Sequence, residues 1–225
     1  MTLRHVYLAL VIGLAATSAA AQDPVTVSPR FYTVELENQW VRVLRLKLGP
    51  GEISGRHAHP DAVAVLLTDA RVRVTNADGT VQSPTRSAGQ VLYSPATTQA
   101  HTEENVSDQP LEVVLVELKP GAPASPPIEL DVVKLDPEHH PVVVENQRVR
   151  AIRTILEPNL KSPMHEHPHY VVVYLTELHT TMTMADGRKV DNPRKPGDVA
   201  WRDALKHETV NIGERTAVEI QIEIK

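Results

Sequence analysis

The sequence predicts an all-β protein made of two tandem copies of one domain, a sandwich or a barrel, and three observations predict it. First, the chain repeats itself. Glu37-Asn38-Gln39-Trp40-Val41-Arg42 returns as Glu145-Asn146-Gln147-Arg148-Val149-Arg150, 108 residues on (37 to 145). His57-Ala58-His59-Pro60 returns as His165-Glu166-His167-Pro168, Ala77-Asp78-Gly79 as Ala185-Asp186-Gly187, and Gly89 as Gly197. After a two-residue deletion, His101 and Asn105 return as His207 and Asn211. A repeat of that length is a small domain rather than a solenoid unit. Second, both copies are rich in short β-branched runs bounded by Gly, Pro or Asp. Third, no window sustains a helical period of apolar residues.

The elements follow in order. Arg4 and His5 precede an apolar stretch from Val6 to Ala16, and Thr17-Ser18-Ala19-Ala20-Ala21 supplies a small-residue cleavage site. Residues 1–21 are therefore expected to be a secretory signal cut before Gln22, because the apolar run is shorter than the roughly 20 residues a spanning helix needs. The mature protein is expected to be exported, periplasmic or secreted, with no membrane insertion after cleavage. Strands are expected at Val41–Leu46, Val63–Leu67, Arg71–Thr75 and Leu111–Val116, and in the second copy at Val149–Ile152, Tyr170–Leu175, Thr180–Met184 and Val218–Ile222. Asp78-Gly79 and Asp186-Gly187 predict hairpins with type I′ turns, since Gly accepts positive φ. The Pro-rich segment 120–127 reads as a semi-extended linker. It separates a first domain, residues 31–119, from a second, residues 128–225, with residues 128–136 read as an extra strand entering the second barrel.

Composition narrows the function. There is no cysteine among the 225 residues, so disulfides and thiolate metal sites are excluded. The formal net charge is −5, with no basic stripe, which argues against nucleic acid as a partner. A small-molecule partner and a monomer or homodimer are expected instead.

The chemistry gathers on histidine. On a strand, residues two apart share a face, so His57 and His59 project together about 7 Å apart at Cα, and two imidazoles so placed converge on one ion. A closed sheet can bring His101 across to them, and His165, His167 and His207 repeat the arrangement. These six are the candidate metal ligands. A lone surface histidine needs no function, but six at matched positions do. No catalytic residue beyond them is singled out. Gln99 and Glu103, flanking His101 at strand spacing, could act as ligand or base but read first as rim residues, and His139, His140 and His179 read as solvated ones. His169 is expected at the mouth of the second copy, where it and Tyr170 give that copy more polar groups and favour it as the metal site. Tyr93 and Trp201 read as core, as do Met164, Met182 and Met184. Arg42, Arg45, Arg150 and Arg153 could hold a carboxylate substrate or pair on the surface with Glu37 and Glu145.

Gly51…His57-Ala58-His59-Pro60 followed by Gly89…Pro95…His101…Asn105, and the second-copy set ending Gly197…His207…Asn211, resemble the two motifs of the cupin superfamily in a two-domain, bicupin arrangement. The resemblance covers both halves from about residue 31. It implies two double-stranded jelly-roll (β-helix) barrels with a metal inside each. The usual cupin glutamate is missing, because Val63 or Ala64 and Val171 or Val172 stand in its place. The remaining three-histidine set resembles that of thiol and diketone-cleaving dioxygenases. It implies a divalent cofactor, Fe(II) before Mn, Zn, Ni or Cu, and an oxygenase acting on a small anionic or chelating molecule. The alternative is a non-catalytic cupin that binds a metal or small ligand.

Overall fold

The structure, a computed structural model, describes residues 22–96 and 99–225. The expected signal segment lies outside the described residues. Among the described residues no helix is long and apolar enough to cross a membrane.

The first copy opens with a one-turn helix, α1 (Pro24–Val27). Nine strands follow: β1 (Tyr32–Glu37), β2 (Val41–Leu48), β3 (Ala62–Leu66), β4 (Ala70–Asn76), β5 (Val81–Gln82), β6 (Thr85–Arg86), β7 (Val91–Ser94), β8 (His101–Asn105) and β9 (Leu111–Leu118). The second copy repeats the series as α2 (Val132–Leu135), β10 (Val142–Glu145), β11 (Val149–Leu156), β12 (Lys161–His167), β13 (Tyr170–Tyr174), β14 (Leu178–Met184), β15 (Lys189–Arg194), β16 (Val199–Arg202), β17 (Leu205–Asn211) and β18 (Ala217–Ile224). Each copy has an antiparallel five-stranded sheet, in the orders β1-β2-β9-β3-β7 and β10-β11-β18-β13-β16. Opposite it lies a smaller sheet, β12-β17-β14-β15 in the second copy and β4 with β5, β6 and β8 in the first. All pairing is antiparallel within these sheets, as the jelly-roll expectation requires.

The large sheets explain why their strands read as nearly continuous apolar runs. One face of each (Leu44, Leu46, Leu66, Leu115) fills its own barrel. The other face packs on the partner copy: Val41, Val43, Val63, Val65, Val114 and Val116 meet Val149, Ala151, Val171, Val173, Ile220 and Ile222 in one buried cluster. A sheet covered on both faces has no solvated side on which to place polar residues. Arg45 and Arg153 close the two ends of this contact reciprocally. Arg45 donates to the Gly197 carbonyl at 2.5 Å and Arg153 to the Gly89 carbonyl. Gly89 and Gly197 both have positive φ (77° and 86°), and a Cβ on either would press on the opposing guanidinium at 3.2–3.3 Å. Arg45 also pairs with Glu35 and Glu112. These two arginines are thus cross-domain clamps.

Two local expectations change. Residues 128–136 do not form a strand. Asp131 caps α2 by accepting from Val133 N, and a single bridge, Asp131 to Glu166, remains. Asp is a poor strand former and a good N-cap, and capping prevails here. Asp23 caps α1 in the same way, so the first unit reaches back beyond residue 31 to Asp23. The hairpins are also not type I′, which needs positive φ at both central residues. Only Gly79 and Gly187 have it (84° and 82°). The Asp side chains accept instead from Thr80 N and Arg188 N at 2.9 Å, which makes three-residue loops ending in a left-handed Gly.

Candidate metal centres

Sequence spacing brings the predicted histidines together in both copies. Among the described residues two groups could hold an ion, His57, His59 and His101 in the first barrel and His165, His167 and His207 in the second. In the second barrel the H-x-H pair lies on β12, and His165 faces His207 on β17. In the first it lies on an irregular segment fixed by the bridge from His57 to His101. Asn105 and Asn211, four residues past the last histidine, are buried struts. Each donates to two carbonyls, Leu48 and Gln109 or Leu156 and Arg215, at 2.8–2.9 Å.

The donor sets fit a divalent ion. Their ligand atoms lie within 4.8 Å of one another in each group. A ring bound through Nε2 has its centroid about 3.2 Å from the ion, so two rings sharing an ion sit roughly 4.5–6.4 Å apart. The observed centroid separations are 4.7, 4.6 and 5.7 Å in the first barrel and 4.8, 4.5 and 5.5 Å in the second. The tautomers agree as well. His57 and His165 direct Nδ1 at the Gly55 and Pro163 carbonyls, and His59 and His167 direct Nδ1 at Glu117 and Glu223. Each of these rings therefore carries its proton on Nδ1 and presents a bare Nε2 to the centre. His207 Nε2 is buried with no hydrogen-bond partner, an orphaned polar atom that an ion would satisfy. Burial lowers the pKa of His57 and His165 to about 4 and that of His207 well below the usual value, so these rings are neutral and ready to ligate.

Behind each H-x-H pair stands a duplicated relay that sequence spacing did not disclose. Glu117 accepts from His59 Nδ1 at 2.8 Å and from Arg42 Nε at 2.6 Å, and Arg42 pairs with Asp23 at 2.5 Å. Glu223, Arg150 and Asp131 repeat it at 2.8, 2.6 and 3.0 Å. Arg42 and Arg150 therefore pair within the relay and not with Glu37 and Glu145, which bind Lys119 and Lys225 instead. The signal was present in the sequence, since all four members recur, but strand ends far apart in the chain do not announce a contact.

Three more residues need correction. Glu103 is not a rim residue. Its Oε2 accepts from Tyr32 O–H at 2.7 Å and lies 4.0 Å from His57 Nε2. Burial opposes its charge, but His57, His101 and His59 together hold its pKa below the usual carboxylate value. His140 is not solvated. It is 1% exposed, with its ring centroid 5.9 Å from that of His165. Tyr170 is not at a mouth but inside, its ring tilted against His167 at 4.7 Å between centroids. His169 sits on Trp201, and His179 pairs with Asp191 at the surface. Tyr93 and Trp201 pack against the core between the copies, as expected, and Met182 lies in the second core.

The two interiors differ. In the first barrel His59, His101 and Glu103 open on a cavity of about 290 Å³ walled by Leu46, Ala62, Ala64, Leu66, Val113 and Leu115. In the second, polar groups replace them, and the bulk of Tyr170 and Tyr174 beside Thr154, Glu219 and Gln221 leaves about 30 Å³. Of the two candidate positions for the cupin glutamate in each copy, it is Ala64 and Val172 that line the interior.

No protein-family model matches the chain, and no curated protein matches it. Solved structures do. AerE from Microcystis aeruginosa is 12% identical with a TM-score of 0.62, the match covering 87% of this chain and 99% of that one. Bacillus subtilis oxalate decarboxylase is 17% identical with a TM-score of 0.58 over 82% and 68%. Lactobacillus farciminis oxalate decarboxylase is 14% identical with a TM-score of 0.58 over 85% and 80%. The chain has the two-domain cupin fold, with a group of three histidines inside each domain.

Proposed function

We propose that this protein is an exported, metal-dependent cupin enzyme, an oxygenase whose chemistry takes place in the first barrel. One observation carries the choice of barrel: His59, His101 and Glu103 face a cavity large enough for a small organic molecule, whereas the second trio is enclosed. His57, His59 and His101 would hold a divalent ion there, and His165, His167 and His207 a second. When bound, a redox ion such as Fe(II) would offer open positions for a chelating substrate and O₂. The oxalate decarboxylase of B. subtilis, a structural neighbour at 14% identity and a TM-score of 0.55, carries Mn(II) centres, which supports a metal in this fold but not a reaction.

The chain's own groups set what can bind. The apolar walls exclude water and accept a hydrocarbon body. Arg86 also lines this cavity, with no carboxylate among the described residues paired to it, and supplies a positive charge for an anionic end. Tyr32, whose pKa burial and the neighbouring Glu103 raise well above the usual phenol value, stays protonated and fixes Glu103 through its hydrogen bond. The Glu117–Arg42–Asp23 relay holds His59 in place from behind. In the second barrel the enclosed trio favours a non-catalytic, stabilising ion. The N-terminal segment supports export.

The test is reconstitution of the mature protein with Fe(II), Mn(II), Zn(II), Ni(II) and Cu(II), then metal analysis and oxygen uptake with small hydroxy acids and diketones. Two ions per chain and uptake abolished by His59→Ala but not by His167→Ala are expected. Full metal loading in a His59→Ala, His167→Ala double variant would reject the trios as the site. Metal binding without turnover of any candidate would leave the binding-protein reading.

A further inference from the structure

Arg86 and the first histidine trio stand at opposite ends of one cavity, and strand β4 fixes that geometry. Ala70 pairs with Arg86 on β6, and Asn76 pairs with His101 on β8. Residues an even number apart on a strand share a face, and directly paired residues share it too. Ala70 and Val72 are each 5% exposed on the inward face, and Arg86 and His101 both line the cavity. Six residues of β4 separate them (70 to 76), about 20 Å at roughly 3.3 Å per residue. The walls between the two ends are apolar, with Leu46, Ala64, Val72, Leu92 and Leu115 facing in.

The second copy supplies the contrast. Arg194 holds the place of Arg86, opposite Leu178 as Arg86 is opposite Ala70. Its guanidinium lies over the ring of Tyr174, 5.3 Å from the centroid. Tyr174 fills the place that Leu66 holds in the first copy, and with Tyr170 it reduces the interior to about 30 Å³, of which Arg194 lines no part. An arginine at the far end of the barrel is thus common to both copies, but only in the first does open apolar space join it to the histidines.

We propose that the first barrel binds an extended amphipathic carboxylate of about eight to ten carbons, its carboxylate on Arg86 and its other end at the histidine trio. The inference rests on the reading that places substrate in this cavity. The two side chains span part of the 20 Å between their backbones and leave roughly 10–12 Å, which at about 1.25 Å of advance per C–C bond is eight to ten atoms. The cavity of about 290 Å³ has room for roughly twenty water-sized groups, so an acid of that length fits with space beside it and length sets the limit. Arg86 offers a fork of N–H donors that matches a carboxylate, whereas the trio end already holds the carboxylate of Glu103. The apolar walls between them favour each added methylene until the chain spans the cavity.

The experiment is isothermal titration calorimetry of the whole mature protein, stripped of metal, with straight-chain alkanoates from acetate to dodecanoate. Affinity should rise about three- to fourfold per methylene up to octanoate or decanoate and fall beyond. Arg86→Gln should weaken octanoate about tenfold or more and leave octan-1-ol unchanged, and Arg86→Lys should recover part of the loss. Arg194→Gln, the matched change in the second copy, should alter neither ligand. Ala64→Leu narrows the cavity midway and should bring octanoate down to the affinity of butanoate. An affinity independent of chain length, or one that Arg86→Gln leaves unaltered, overturns the inference. Alkanoates that fail to bind protein that still loads two ions and consumes oxygen with small hydroxy acids overturn it too, and leave the proposed reaction standing. Octanoate binding that depends on Arg86, in protein whose trios take up no ion, would instead remove the metal-dependent reaction and keep the ligand.

Discussion

Filling the first cavity separates binding from folding. Ala64 faces the interior of the first barrel and lines its cavity of about 290 Å³. Ala64→Leu adds three carbons that point into that space. At about 0.8 kcal/mol per buried methylene the gain is close to 2 kcal/mol, and the lost rotamer freedom of Leu returns roughly 0.5–1 kcal/mol of it. The net is about 1–2 kcal/mol, or roughly 2–8 °C in midpoint for a chain of this size. The matched change in the second barrel behaves oppositely. Val172 is 2% exposed beside a space of about 30 Å³, enough for roughly two waters. Val172→Phe adds four carbons there and should cost about 1–3 kcal/mol through displaced neighbours. Thermal unfolding followed by circular dichroism measures both, and metal analysis checks that Ala64→Leu keeps its ion while substrate-dependent oxygen uptake disappears. Equal destabilisation by the two variants would refute the difference between the interiors, and unchanged turnover in Ala64→Leu would remove the reaction from this cavity.

The other predictions test the supports of the site. Glu223→Ala should destabilise by about 1–3 kcal/mol in denaturant titrations, because Glu223 is 2% exposed and its loss leaves His167 Nδ1 unpaired and Arg150 held by Asp131 alone. Second-barrel metal affinity should fall about 10–100-fold in the same variant. The metal-free protein should lose stability on acidification between about pH 6.5 and 4. His57 and His165 have folded values near 4, so the unfolded chain takes up protons first across that window, and each ring accounts for up to about 3 kcal/mol. Stability that stays flat from pH 7 to 4.5 in denaturant titrations would contradict the neutral, buried rings. Exported protein should begin at Gln22 or within two residues of it by mass spectrometry, and retention of Met1 would exclude a cleaved signal.

The sequence by itself determined the duplication, the all-β class and the six histidines. Each is local: H-x-H shares a strand face through the two-residue period, and a second copy at constant offset raises the pattern above chance. Sequence alone did not disclose the relay Asp23–Arg42–Glu117–His59, whose members span 94 residues (23 to 117) and meet only when β2 and β9 pair. It put the rim ahead of the interior for Glu103 for the same reason, and read the buried His140 as solvated. A polar residue in a half-buried strand faces water or the interior according to sheet closure, and composition near the residue does not carry that information. Tyr170, which counts as a polar group in the sequence, acts as volume in the second barrel. Only the tertiary structure could weigh Ala62 and Ala64 against Tyr170 and Val172, since free space is what remains when every strand has contributed its side chains.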